Sequence, residues 1–233
     1  MSTRRARLRT QTVADIKATA LDHVRQHGGH DVSLRAVARD LGMSAPGLYR
    51  YYDSREALLT DLIADSFHAL ADAVETARDA DPVASSGDRL FAAALAYRRW
   101  AVEHPNEFGL IYGTPIPNYT APADGPTSPA SGRVGAGFLT VFVTAFERGE
   151  LRLDDTAADP VLEASLAAYG AELHPGFPAA AVRVAIGAWG QMHGMVCLEV
   201  FNHLSWLLTD AGPLYRAEMT ALCARLGLPV TDG

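Results

Sequence analysis

Arg50 carries a forked, permanently charged group, and Tyr49 and Tyr51 flank it with phenolic hydroxyls. Just ahead stand Ser44, Ala45 and Gly47, three small residues. On one short helix, Ser44 to Tyr51, this set suits the edge of a DNA duplex. Small side chains let a backbone approach base edges. A guanidinium forks onto guanine or a phosphate. Tyrosines offer hydroxyls to phosphate oxygens and ring faces to thymine methyls. Unpaired N–H groups at the Ser44 end favour an anion.

Such a helix reads bases only if others hold it still. Ser33 reads as an N-cap. Leu34, Val37, Ala38 and Leu41 then fall at i, i+3, i+4 and i+7, one apolar face of a supporting helix. Gly42 supplies the left-handed stop. Ser44 caps the next helix, and Pro46 falls in its first turn, where a missing N–H is harmless. Leu48 and Tyr52, four apart, face inward. Ser54 caps a long helix bearing Leu58, Leu59, Leu62, Ile63, Phe67, Leu70 and Val74. Upstream, Val13, Ile16, Ala20 and Val24 keep helical spacing until Gly28-Gly29. This is a helix-turn-helix. The alternative is a three-helix cap whose tyrosines are half-buried packing.

The pattern resembles the DNA-binding domain of the tetracycline-repressor (TetR) family of transcriptional regulators. The resemblance rests on Val37-Ala38, Leu41-Gly42-Met43-Ser44, Gly47 through Tyr52, and Ser54-Arg55-Glu56-Ala57-Leu58. It covers about residues 10–60. It implies base or backbone contacts for Tyr49 and Tyr51, recognition-helix positions for Ser44, Ala45, Gly47 and Arg50, and phosphate contacts from Ser33 and Arg35. Arg55 stands where the family usually has Lys and keeps the phosphate-pairing charge. Tyr52 replaces a more usual Phe, so its hydroxyl needs a partner.

Charge agrees with this division of labour. Residues 1–60 hold ten Lys/Arg against six Asp/Glu, a net of +4. Residues 61–233 hold ten against 21, a net of −11. A basic module joined to one that avoids polyanions is expected. Residues 1–9, with Arg4, Arg5, Arg7 and Arg9, form either a solvated tail or an arm that touches the duplex. No apolar h-region follows them, and no run of about 18 apolar residues spans a bilayer. The expectation is a cytoplasmic protein with no membrane association. Cys197 and Cys223 read as small buried hydrophobes.

The remaining chain reads as all-α. A break at Asp79–Gly87 precedes helices at about 87–104 and from Pro105. Residues 113–132, with five prolines, read as a long loop of the kind that carries function. Helices follow around Phe138–Phe146 and at about 159–172, 178–209 and 213–226. We divide the chain into a DNA-binding domain, 1–60, and a helical effector-binding and dimerisation domain, 61–233. Family members couple the two, and Trp189 with His193-Gly194 resembles a subgroup marked by a Trp…His-Gly signature.

Aromatic residues crowd the second half. Trp100, His104, Phe108, Tyr112, Phe142, Trp189, Met192 and His193 are the candidate lining of an apolar effector pocket with few polar anchors. Each taken singly is equally a core residue. The 178–209 helix is apolar around much of its girth. With the last helix it is expected to pair with a second copy. No metal site or cofactor is expected: Glu199 and His203 have the i, i+4 spacing of ligands, but His193 lies about 80° around the helix from His203, a poor convergence. No G-x-S-x-G turn presents a nucleophile, and Gly132, Gly135 and Gly137 lack a βαβ context. No catalytic residue is assigned. The sequence therefore predicts a non-enzymatic homodimeric regulator, more a repressor than an activator. It would read a palindromic double-stranded operator and release it on binding a small, largely apolar effector. The alternative is an all-α small-molecule-binding protein or enzyme without DNA affinity.

Overall fold

The computed structural model describes residues 4–27, 32–153 and 159–231. Every regular element among them is a helix: α1 Arg4–His27, α2 Leu34–Asp40, α3 Ala45–Leu48, α4 Arg55–Arg78, α5 Ser86–Glu103, α6 Pro105–Tyr112, α7 Thr127–Glu147, α8 Pro160–Leu173, α9 Ala179–Val200 and α10 Gly212–Arg225. Two compact units result. Unit 1 comprises residues 1–69 and 104–133, and unit 2 comprises 70–103 and 134–233. The divisions fall inside α4, between α5 and α6, and inside α7.

In unit 1 the expected apolar faces are buried. Ile16, Ala20 and Val24 of α1, Leu34, Val37 and Ala38 of α2, Leu48, and Leu58, Leu59 and Leu62 of α4 make its core. Leu41 is only half-buried. Within the basic N-terminal segment, Arg4–Arg9 form the exposed first turns of α1. Arg, Ala and Leu are strong helix formers, and Thr10 and Thr12 tie their hydroxyls back to the Ala6 and Leu8 carbonyls. Residues 1–3 of that arm and the Gly28-Gly29 stop lie outside the described residues.

Three further boundaries differ from the sequence reading. The segment 113–132 is a loop only as far as Pro126, because α7 begins at Thr127. Pro129 falls in its first turn, where N–H groups have no intrahelical partner and proline is tolerated. The long helix expected to reach residue 209 ends at Val200. There Asn202 takes φ +63°, and the Asn202 and His203 N–H groups donate to the Glu199 and Leu198 carbonyls, a left-handed C-cap with asparagine in glycine's place. The third boundary concerns α3, below.

Unit 2 packs around Tyr97, whose ring is fully buried against Phe138 and Trp189 at centroid distances of 6.0 and 5.4 Å. Tyr215 is equally buried, donates its hydroxyl to the Ala94 carbonyl, and has its pKa raised by burial. The apolar side of α10 (Tyr215, Met219, Leu222, Cys223) is spent on this core. Apolar side chains are instead left outside on α8 (Val161, Leu162, Tyr169), on α9 (Ile186, Leu198) and just after it (Phe201, Trp206, Leu207).

Candidate nucleic-acid interface and effector cavities

The turn between α2 and α3 is built by hydrogen bonds that its residues dictate. Gly42 adopts φ +65°, which a side chain would disfavour. Its N–H donates to the Arg39 carbonyl and that of Met43 to Ala38, a Schellman closure of α2. Ser44, in extended conformation, then caps α3 by accepting from the Gly47 N–H at 3.2 Å. A Cβ at Gly47 would lie 3.0 Å from the Ser44 hydroxyl oxygen, so a larger residue there would crowd the capping hydroxyl. One N–H at this end is thus taken internally. Ser33 precedes α2 with cap geometry, but its hydroxyl makes no capping bond and stays exposed.

The helix expected over Ser44–Tyr51 is only Ala45–Leu48. Its brevity has a local cause: the N–H groups of both Tyr51 and Tyr52 donate to the Leu48 carbonyl, which tightens and ends the helix. Tyr49, Arg50 and Tyr51 therefore sit in the turn that follows. Leu48 is fully buried and anchors the segment. Arg50 and Tyr49 are exposed, and Ser44 and Arg35 lie open as well, while Ala45, Gly47 and Tyr51 are half-exposed. Arg9 of α1 lies over the Tyr51 ring, 5.2 Å from its centroid, and adds a cation that the residue-by-residue reading missed. Its position in an arginine-rich run beside the motif was the available signal.

The turn is held from behind. Tyr52 donates its hydroxyl to Asp61 on α4 at 2.8 Å, the partner its substitution for Phe required. Burial first, then that carboxylate, raises the tyrosine pKa. Lys17 of α1 bridges Asp61 and Asp65 at 3.6 and 2.8 Å. Arg55 donates its Nε–H to the Val32 carbonyl, so this arginine also fixes the entry to α2. His23 contacts Asp40 at 2.8 Å, and Asp40 is lowered by that bond and by Arg39. On α6, Glu107 is 4 % exposed and accepts two bonds from Arg25 of α1, while Asn106 donates to the Arg25 carbonyl. Pairing with Glu107 raises the Arg25 pKa.

The expected pocket lining is dispersed. In unit 2, Phe142, Trp189 and Met192 line an apolar void of only about 20 Å³, together with Leu90, Phe138 and Met219. Trp100 is buried. His193 lies stacked on Trp189 at 5.1 Å, with Nδ1 2.7 Å from the Tyr97 hydroxyl and Nε2 3.3 Å from the Cys197 sulfur. In unit 1, Phe108 and Tyr112 join Phe67 in an aromatic cluster, and His104 precedes α6.

A larger cleft lies in unit 1, about 380 Å³, which the lining set did not anticipate. Its floor is Ile63 and Phe67 of α4 with Leu110 and Ile116, and its rim carries hydroxyls from Thr114, Tyr119, Thr127, Ser128 and Ser131. Among the described residues no charged side chain lines it. The Tyr119 hydroxyl lies 3.1 Å from that of Thr60, next to Asp61. The signal for this cleft was the long proline-rich loop itself.

Of the two cysteines, Cys223 is the buried hydrophobe expected, its thiol pushed up to about 11 by burial. Cys197 is half-buried beside His193 and is likewise raised by burial. Burial also lowers the His193 pKa. The unfolded chain then binds the proton more readily, so stability is lost as pH falls below the ordinary value of 6.5. Replacing His193 with glutamine is expected to flatten the decline in melting temperature between that pH and the carboxylate range. An unchanged slope in a pH series of thermal unfolding would assign the decline to other groups.

A supported short helix, an exposed arginine flanked by tyrosines, and a basic first helix beside it define a helix-turn-helix DNA-binding protein. The family follows from comparison. Residues 16–62 match the profile of bacterial regulatory proteins of the tetR family, and residues 90–222 match the tetracyclin repressor-like C-terminal domain. The HTH-type transcriptional regulator Rv1816 of Mycobacterium tuberculosis is 37% identical over 222 residues, 94% of this chain and 93% of that protein. The crystal structure of the putative regulatory protein SCO4313 superposes with a TM-score of 0.74 at 30% identity, covering 95% of this chain and 100% of that one. RolR in complex with resorcinol shares the fold at 14% identity, with a TM-score of 0.55 over 96% and 91% of the two chains. The chain belongs to the TetR family of transcriptional regulators, a non-enzymatic family. No helix among the described residues is long and apolar enough to cross a membrane.

Proposed function

We propose that the chain is a homodimeric, effector-responsive repressor that reads a palindromic operator. The observation that carries this is the exposed Tyr49-Arg50-Tyr51 turn fixed by buried Leu48 and by the Tyr52–Asp61 bond. Ser44, Ala45 and Gly47 lie closest to base edges in this reading, while Ser33, Arg35 and Arg55 hold phosphates. Residues 1–60 act as the reading domain and 61–233 as the effector and dimer domain. The Trp189…His193-Gly194 signature marks its subgroup.

Pairing of two copies is supported by the unpartnered apolar side chains on α8 and α9, both of which belong to one unit. One helix-turn-helix reads too few bases, and two-fold operators require two-fold proteins.

The effector reading joins the unit 1 cleft to the turn. Pockets of ~300–1,000 Å³ with apolar walls and few polar groups suit small molecules, and this cleft has hydroxyls but no charge. An uncharged, largely apolar molecule with one or two hydroxyls fits that lining; the distant relative RolR has resorcinol as a ligand. Phe108 and Tyr112 back the cleft through Phe67. Its walls belong to α4 and α6, the helices whose Asp61 and Glu107 hold Tyr52, Lys17 and Arg25. Displacing either wall therefore shifts the support of the reading turn. The effector acts only by binding the released state better than the DNA-bound one. Purified protein is expected to retard DNA flanking its own coding region at moderate salt, with release by phenolic or acyl compounds from a thermal-shift screen. Failure to retard any such fragment beyond random DNA would contradict the reading.

A further inference from the structure

Unit 2 contains a second cavity, about 110 Å³, whose lining differs in kind from the cleft and the void above. Three arginines border it: Arg78 at the end of α4, Arg89 on α5 and Arg148 just past α7. Ser86, Thr140 and Thr144 add hydroxyls, Val141 adds one apolar contact, and among the described residues Asp79 is the one carboxylate in the lining. The charge around this space is thus strongly positive in a unit whose sequence is otherwise acidic.

The arginines are not equally engaged. Arg89 spends its N–H groups on the Ala84, Arg78, Asp81 and Pro82 carbonyls and on Asp79, which pins the 79–85 loop. Arg78 donates two bonds to Asp79 and one to the Gly137 carbonyl, three of the five its guanidinium carries. Arg148 is exposed, and its guanidinium makes neither hydrogen bond nor ion pair among the described residues, although its backbone N–H donates to the Thr144 carbonyl. Asp79 is already neutralised by Arg78 and Arg89, and its carboxyl is held below the usual range by them.

The second observation is Ser86. It is 2 % exposed, lines the same cavity, and its hydroxyl oxygen has no hydrogen-bond partner among the described residues. A buried hydroxyl left unpaired is costly, and such groups in folded proteins normally have a partner. A rigid guanidinium with spare N–H groups, a free guanidinium at the mouth and an orphaned buried hydroxyl together require an acceptor of several bonds with negative charge. We propose that this cavity binds a small tetrahedral oxyanion, a phosphate or a phosphoryl group. Ser86 donates to one oxygen, Arg78 offers its spare N–H groups, and Arg148 closes over the open side. The site is independent of the effector cleft and is confined to unit 2.

The test is calorimetric titration of the full chain at constant ionic strength with inorganic phosphate and with glycerol 3-phosphate. Saturable binding at millimolar or lower concentration is expected, with a melting temperature that rises with ligand. Phosphate binding tighter than the ester assigns the free ion, and the reverse assigns a phosphorylated metabolite. Arg148→Gln is expected to weaken binding by about tenfold, as loss of a charge-assisted pair does. Ser86→Ala is expected to weaken it severalfold while leaving the ligand-free melting temperature unchanged or higher. Arg99→Gln, an exposed arginine outside the lining, serves as the charge-matched control and is expected to bind as wild type. No saturable heat up to about 20 mM would overturn the proposal. So would equal weakening by Arg99→Gln, or undiminished binding in both Arg148→Gln and Ser86→Ala.

Discussion

Arg50→Ala is expected to lower specific operator affinity by roughly 30-fold to 10⁴-fold without altering the melting temperature. A good bidentate contact between arginine and a base is worth about 1–3 kcal/mol. A two-fold complex makes it twice, hence about 2–6 kcal/mol in all. Arg50 is exposed and lies in the turn after α3, so its loss removes no packing. Fluorescence anisotropy with operator and with scrambled DNA separates its role from that of a phosphate contact. Arg50→Ala should reduce operator binding far more than scrambled binding. Arg35→Ala should weaken both and make affinity less salt-dependent, by about one counterion per contact. Equal losses on both DNAs for Arg50→Ala would reassign that side chain to the backbone.

Placing glutamates at Ile186 and Leu198 together is expected to leave the protomer folded but monomeric, and to lower operator affinity by at least about 100-fold. Both side chains are well exposed on α9, at 54 % and 43 %, so the substitutions bury no charge within a single chain. In a two-fold interface formed by this face, these charges would be buried against apolar side chains, where unpaired charges are strongly disfavoured. Losing one reading turn forfeits half the base contacts, and the additional cost of joining two free protomers on DNA follows. Sedimentation velocity reads the assembly and circular dichroism reads the fold. A variant that sediments as wild type does would place the interface elsewhere, with the exposed Trp206 and Leu207 segment as the next candidate.

The reading apparatus was legible because its determinants are local. The α2 face, the Gly42 stop, the Ser44 cap and the inward Leu48 are each decided within a few residues. What was illegible depended on competition or distance. The end of α3 turns on two N–H groups sharing the Leu48 carbonyl, which periodicity does not record. The Tyr52 hydroxyl announced a need, but Asp61 lies a full turn into the next long helix. Prolines in 113–132 masked the start of α7, since proline is as welcome in a first turn as in a loop. The aromatic set does not converge on one roomy space in this structure, because ring type reports burial, not vacancy. Trp189 and Phe142 fill a core with almost no space, whereas the roomy cleft is rimmed by Thr, Ser and Tyr from a loop. The cluster of Arg78, Arg89 and Arg148 was invisible because three segments supply it.

The central claim is that two copies of the Tyr49–Tyr51 turn engage one symmetric site. Hydroxyl-radical footprinting of a retarded fragment measures it directly. The expected result is two protected half-sites related by a dyad, about one helical turn (~34 Å) or somewhat more apart, both erased by Arg50→Ala. A single asymmetric footprint, uniform protection, or a pattern that survives Arg50→Ala would contradict it.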